Sequence, residues 1–398
     1  MPSKAQSRFP EREGRALDDA LLARYEAAGF VRIDTPILQP ADVFLDLSGE
    51  SIRRQLYLTT DMDGQELCLR PDLTIPVARQ VLQSGAPLPT FVSYLGPVFR
   101  FRGESSGEFR HAGVESFGRT DLEAADAEIL ALGLETCAIY NVPAPSIHLG
   151  DVALFAALLE ALPLPPAWRR RLLKDFGQSS LDADLTRLNA ERATNGASHA
   201  GVLNALTGSD PEGARALITD LLSIAGITTV GGRSVSEIAE RFLEQASLDA
   251  GNGLSSETAV ILARYLEITG NPDDASARLR ALAKDAGIAL DAALDAFDRR
   301  AGFISAHGIA LSDIQFSAAF GRPLDYYSGM VFELRDPHGR VEGPLVAGGR
   351  YDRLLERLGG GAIVPAVGLA AWVERLAQLD RAAMDKAAAR PADGEAGR

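Results

Sequence analysis

The sequence has little cysteine, a deficit of positive charge and no long apolar run. Only Cys68 and Cys137 occur among 398 residues, each inside an apolar segment and without metal-type spacing. That argues against a disulfide framework and against a zinc site, and leaves buried thiols as the expectation. No stretch approaches the roughly 18 uninterrupted apolar residues of a membrane span. The segment Met1 to Arg12 carries charge but no apolar signal core, so a cytosolic protein is expected. Lysine and arginine number 40 against 54 acidic residues, a net charge of −14. A nucleic-acid binder presents a basic field that replaces counterions along the phosphates, so this balance lowers the expectation of tRNA binding. What remains is ordinary, 46% hydrophobic and 24% charged, enough chain for one large domain and a second folding unit.

Residues 11–28 set Leu17, Leu21, Leu22 and Tyr25 on one helical face, with Gly29 as the stop. Phe30 to Leu38 is β-branched and interrupted by Pro36. Tyr57 to Leu69 reads as two short strands around Asp61-Met62-Asp63-Gly64. From about Trp168 to His307 the signatures are helical: Ser234 with Glu237 forms a capping box before Ile238, Phe242 and Leu243. Asn271-Pro272 opens a helix that carries Leu279 and Leu282 and stops at Gly287. Strand patterns resume at Ile314, Phe316, Ala318 and Phe320, continue from Tyr326 to Leu334, and turn at Asp336-Pro337-His338-Gly339. The expected architecture is α+β, a largely antiparallel sheet of roughly six or seven strands built from residues 1–167 and 308–380. Residues 168–307 form a helical insertion and 381–398 a disordered tail.

Four segments concentrate residues suited to an amino-acid pocket. In Leu69-Arg70-Pro71-Asp72-Leu73-Thr74 a carboxylate and a hydroxyl can both accept from an α-ammonium group; equally, Asp72 can cap the helix through Val77 and Ala78. The second runs from Gly96 to Arg102 and, after a polar loop, from Phe109 to Gly118. Arginines alternating along a strand point to one face, so Arg100 and Arg102 can share an anion, and Glu115 on an apolar strand needs a partner or water. A solvated edge strand is the alternative. The third, Phe320 to Glu333, holds adjacent Tyr326 and Tyr327, which on a strand point to opposite faces, one into the core and one toward a ligand. The fourth joins Gly348-Gly349-Arg350-Tyr351-Asp352 to Gly368 through Leu376, where glycines allow close approach and Glu374-Arg375 sets an arginine at the floor. Ordinary core packing with glycine-punctuated turns is the alternative for both.

Together these segments resemble the class II aminoacyl-tRNA synthetases, and specifically histidyl-tRNA synthetase. Phe30 to Pro40 looks like the class's first motif, Phe99-Arg100 opens its second, and Gly368 to Arg375 matches its third. Arg322 to Tyr327 with Val331-Phe332-Glu333, and Gly348 to Asp352, are specific to the histidine branch. The resemblance implies an antiparallel sheet flanked by helices. It also implies that Asp72 and Thr74 hold an α-ammonium group and Arg100 the carboxylate or a phosphate. Glu115, Tyr327 and Tyr351 would surround an imidazole, Leu73 and Tyr326 beside them complete the set, and Arg322 matches the branch's catalytic arginine. His111 stands where glutamine is usual.

The departures point away from aminoacylation. Arg102 stands where the second motif carries a nucleotide-reading glutamate, the loop is shortened and carries Glu104 and Glu108, and Trp372 replaces a glycine in the third motif. A tryptophan side chain buries up to about 250 Å² and fills the space a nucleotide needs. Only 22 residues follow Leu376, where synthetases continue for about another hundred as an anticodon-binding domain. Keeping the amino-acid positions while losing the rest resembles the ATP phosphoribosyltransferase regulatory subunits. That resemblance implies no catalytic residue, cofactor or metal, and L-histidine as effector. It implies a separate short-form catalytic chain as partner, in histidine biosynthesis, a homodimer within a hetero-oligomer, and neither tRNA nor membrane binding. The alternatives are a truncated active histidyl-tRNA synthetase and an interaction module with a vestigial pocket.

Overall fold

The computed structural model describes residues 12–47, 50–103, 106–177, 229–230, 233–234, 255–322 and 324–388. The chain opens with α1 (Arg12–Ala27), ended by Gly29 at φ +90°, then β1 (Val31–Arg32), β2 (Leu38–Pro40), α2 (Ala41–Leu47) and α3 (Glu50–Arg53). Strands β3 (Leu58–Thr60) and β4 (Glu66–Leu69) flank the expected turn, where Asp61 accepts from the Asp63 and Gln65 amides. Helix α4 (Thr74–Ser84), strands β5 (Thr90–Phe99) and β6 (Glu108–Phe117), helix α5 (Leu122–Ile139), strand β7 (Ser146–Asp151), and helices α6 (Val152–Ala161) and α7 (Pro166–Asp175) follow.

Beyond them come a small hairpin of β8 (Thr229–Val230) and β9 (Arg233–Ser234), then α8 (Ser256–Leu266), β10 (Thr269–Gly270), α9 (Pro272–Ala286) and α10 (Asp291–Ala306). Strands β11 (Ile314–Ser317), β12 (Met330–Arg335), β13 (Pro344–Arg350) and β14 (Ala366–Trp372) lead to α11 (Val373–Ala388). The signals around Asn271 hold: its side chain accepts from the Asp274 amide, Pro272 follows, and Gly287 takes the left-handed conformation at φ +64°. The helix expected through Ile238, Phe242 and Leu243 lies outside the described residues.

Nine strands form the main sheet in the order β1-β5-β6-β14-β13-β12-β7-β11-β10. All neighbours run antiparallel except β1 with β5 and β11 with β7. The sheet is thus wider than the six or seven strands expected. The edge strands β1 and β10 span two residues each, too short to show alternation. A second sheet pairs β2, β4 and β3. Residues 381–388 are helical where a disordered tail was expected, since α11 runs to Ala388. Its alanine-rich sequence has the highest intrinsic helix propensity.

The period of two assigns each strand residue to a face. On β6, Ala112 and Val114 join the apolar layer with Leu130 and Ile129 of α5. Phe109 and Phe117 join a second cluster on the other face, with Phe44 of α2 and Ile75 and Val77 of α4. Across β13, Arg350 turns toward α5, where its guanidinium meets Asp126, while Tyr351 turns to the second face. Helix α10 is joined to α5 by a buried bridge from Arg300 to Asp126 at 2.8 Å, and the same guanidinium reaches Asp151 at 2.5 Å. Asp151 also caps α6, accepting from the Ala153 and Leu154 amides.

Candidate functional site

A pocket opens on the second face, between the sheet and the start of α4. Asp72, Thr74, Arg100, His111, Glu115, Arg322, Tyr326, Tyr327 and Tyr351 all line it, with Ile52, Leu324, Ala347, Trp372 and the backbone of Gly368 to Ala370. Of the residues singled out from sequence, Leu73 and Arg102 are absent; the Leu73 side chain is buried in the apolar cluster beneath α4.

Asp72 contributes to the start of α4 and also lines the pocket. One oxygen accepts from the Ile75 amide at 3.2 Å, which helps to start α4, and the other is buried without a partner. Burial raises its pKa, and nearby Arg100 counters this. Arg100 is anchored by its Nε, which donates to the Pro71 carbonyl at 2.7 Å; burial lowers its pKa to about 10. Arg102 does not share the pocket. Strand β5 ends at Phe99, so the expected alternation breaks, and the Arg102 guanidinium stacks 3.7 Å from the Phe109 ring centroid.

Glu115 is 1% exposed, neither solvated nor at an edge. Tyr94 donates to one carboxylate oxygen at 3.0 Å and Tyr351 to the other. Burial nonetheless raises its pKa to about 7, because desolvation outweighs these bonds. Gly368 makes the arrangement possible, since a Cβ there would lie 1.7 Å from the Glu115 carboxylate. Tyr94 was not anticipated. It pairs with Gly113 across β5 and β6, and a side chain on Gly113 would strike its hydroxyl at 2.5 Å. The signal, an aromatic opposite a glycine, becomes readable only once the register is known.

Tyr326 and Tyr327 differ from the expected division between core and ligand. They precede β12 in a turn, where alternation does not apply, and their rings lie 4.9 Å apart with both lining the pocket. Tyr351 packs edge-on against each, at 5.7 and 6.4 Å. At the far end Trp372 meets the His111 ring edge-on at 4.8 Å, with the Arg322 and Arg375 guanidiniums 5.9 and 5.1 Å from its own ring. Arg322 Nε and Nη1 are buried without partners. The pocket therefore has acceptors at Asp72 and Glu115 and donors at Arg100 and Arg322, the complement of a zwitterion with a polar ring.

Comparisons with known proteins give the family and the fold. The family model described as histidyl-tRNA synthetase matches residues 10–230 and 213–376. The ATP phosphoribosyltransferase regulatory subunit of Brucella canis is 40% identical over 363 residues, 91% of this chain and 96% of its own length. That of Brucella melitensis biotype 2 matches to the same degree, 40% over 363 residues. The chain belongs to the ATP phosphoribosyltransferase regulatory subunit family. Membership carries a regulatory, non-catalytic role, in place of the truncated-synthetase alternative. Among solved structures, an ATP phosphoribosyltransferase regulatory subunit/histidyl-tRNA synthetase from Bacillus halodurans superposes with a TM-score of 0.65 at 20% identity, covering 95% of this chain and 84% of that one. The histidyl-tRNA synthetase of Nostoc sp. PCC 7120 gives 0.62 at 18% identity, covering 96% and 76%. These likenesses establish the class II synthetase-like α+β fold. Among the described residues, no helix is long and apolar enough to cross a membrane.

Proposed function

We propose that the pocket binds free L-histidine and that its occupancy sets the activity of the catalytic chain of ATP phosphoribosyltransferase, the enzyme the relatives' names specify. The observation that carries this reading is the pairing state of the pocket. The buried Asp72 oxygen and the Arg322 nitrogens lack partners, while Glu115 is held by hydroxyls as a buried acceptor. Asp72 and Thr74 take the α-ammonium group, Arg100 and Arg322 the carboxylate, and Glu115 with Tyr326, Tyr327 and Tyr351 the imidazole, which needs a partner on each nitrogen once buried. Trp372 lines the pocket at the position where the resemblance implies a glycine that leaves room for a nucleotide, which supports a sensor over a synthetase.

Regulation follows by linkage: histidine bound more tightly in one arrangement of the complex shifts the population toward a less active catalytic chain, by typically about 1–3 kcal/mol. The protein acts in the cytoplasm, as a homodimer within a hetero-oligomer, without tRNA. Residues 1–167 and 308–380 form the unit that carries the pocket, around residues 168–307. Support comes from the single sheet that joins strands of both stretches, but β10, inside 168–307, adds its edge strand to that sheet, so the segment expected to be a helical insertion is neither wholly helical nor separate from it.

The test is the histidine inhibition curve of the reconstituted complex. Losing a buried partner of a polar ligand group costs about 1–3 kcal/mol, so Glu115→Ala shifts the curve by roughly ten- to a hundredfold. Uninhibited turnover stays near wild type because the phosphoribosyl chemistry belongs to the other chain. Superimposable curves would place the sensor elsewhere.

A further inference from the structure

His111 is bound to nothing that satisfies it. It shares the pocket face of β6 with Gly113 and Glu115, two and four residues on. Its ring is 2% exposed, and neither nitrogen has a hydrogen-bond partner. Phe109 and Trp372 fix the ring edge-on, at 5.1 and 4.8 Å between centroids, without offering it an acceptor. A buried imidazole with two unpaired nitrogens is costly unless a ligand bonds to it.

The surrounding charges decide which part of a ligand that is. Burial, followed by the guanidiniums of Arg100, Arg102, Arg375 and Arg322, holds the His111 pKa well below its ordinary value. The ring is therefore neutral and carries an N–H to donate. A ligand ammonium group is repelled by that set of cations and finds the unpaired oxygen of Asp72 instead. An anion is attracted. Arg322 flanks the same Trp372 ring as His111 and has two unpaired nitrogens of its own.

We propose that His111 is a specificity-determining residue: its ring N–H, together with Arg322, holds the ligand's α-carboxylate, so the pocket selects the free amino acid over the matching amino alcohol. This rests on the reading that the pocket binds histidine. It sets His111 against the carboxylate, and not the ammonium group, because the imidazole is surrounded by positive charge. A carboxylate accepts stronger, charge-assisted bonds from such donors than a hydroxyl does.

Titration calorimetry of the full chain with L-histidine and with L-histidinol, in which CH2OH replaces the carboxylate, tests it. The wild type binds histidine at least about tenfold more tightly than histidinol. His111→Phe keeps the ring packing against Trp372 and removes both nitrogens. It weakens histidine about ten- to a hundredfold and leaves histidinol nearly unchanged. Equal losses for the two ligands would place His111 against the part they share, and no loss for either would remove the contact; both overturn the assignment. Equal affinities of the wild type for the two ligands overturn it without any variant. A wild type that binds neither ligand overturns the histidine reading itself, and this assignment with it.

Discussion

Two buried polar regions lie back to back across the end of β13, and they differ in pairing rather than in burial. On the α5 side, Arg300 bonds Asp126 and Asp151, and Arg350 bonds Asp126 at 2.8 Å, Asp352 at 2.9 Å and the Leu122 carbonyl at 2.9 Å. On the pocket side, one residue further along the strand, Tyr351 faces a cavity where Asp72, His111 and Arg322 keep unpaired atoms. Buried polar groups in proteins are nearly always hydrogen-bonded. The first region therefore reads as a structural fastener between helices and sheet, and the second as a site completed by a ligand. Burial of charge by itself distinguishes neither.

The strongest way to break this contrast is to unpair the fastener. Arg300→Ala leaves Asp126 and Asp151 buried without their shared cation, and it should cost about 3–5 kcal/mol of unfolding free energy, measured by denaturant titration. A loss below about 1 kcal/mol would mean the cluster is hydrated and its pairing unimportant. Completing the pocket should act in the other direction. Histidine at a hundred times its dissociation constant should stabilise the wild-type chain by about 2.7 kcal/mol, seen as a raised melting temperature that Arg300→Ala retains as an increment.

A smaller effect comes from Glu115. Its native pKa near 7 lies above the ordinary 4.5, so the folded state holds the proton more tightly than the unfolded one. The associated stabilisation is complete below about 4.5 and is lost as pH rises through about 7. Unliganded wild type should therefore lose melting temperature between about pH 5 and 8, and Glu115→Gln should flatten that part of the profile. A slope unchanged by the substitution would show that the carboxylate is solvated.

The pocket was legible in the sequence where its residues fall in compact runs. Asp72 with Thr74, Glu115 within an apolar strand, and the glycine-tyrosine run at 348–352 each carry their chemistry locally. The fastener was not. Asp126 and Arg300 stand 174 residues apart and Asp151 and Arg300 149 apart, and each by itself reads as an ordinary solvent-facing charge, Asp126 and Arg300 on helices and Asp151 at the end of β7. Tyr326 and Tyr327 were misread because alternation was applied to a turn. Arg102 was misplaced because β5 ended three residues earlier than the pattern suggested. Such errors share one cause, that where an element ends depends on tertiary contacts.

The strand order also has a consequence for synthesis. Strands β14, β13 and β12 lie between β6 and β7, so the first half of the sheet emerges from the ribosome with its middle missing. From Asp151 to Met330 is 179 residues, roughly ten to forty seconds of translation at about 5–20 residues per second. Throughout that interval β6 and β7 each present an open hydrogen-bonding edge and an apolar face, the combination that invites pairing with another chain. Nascent chains of this protein are thus candidates for chaperone capture, and fragments that stop before Met330 should aggregate.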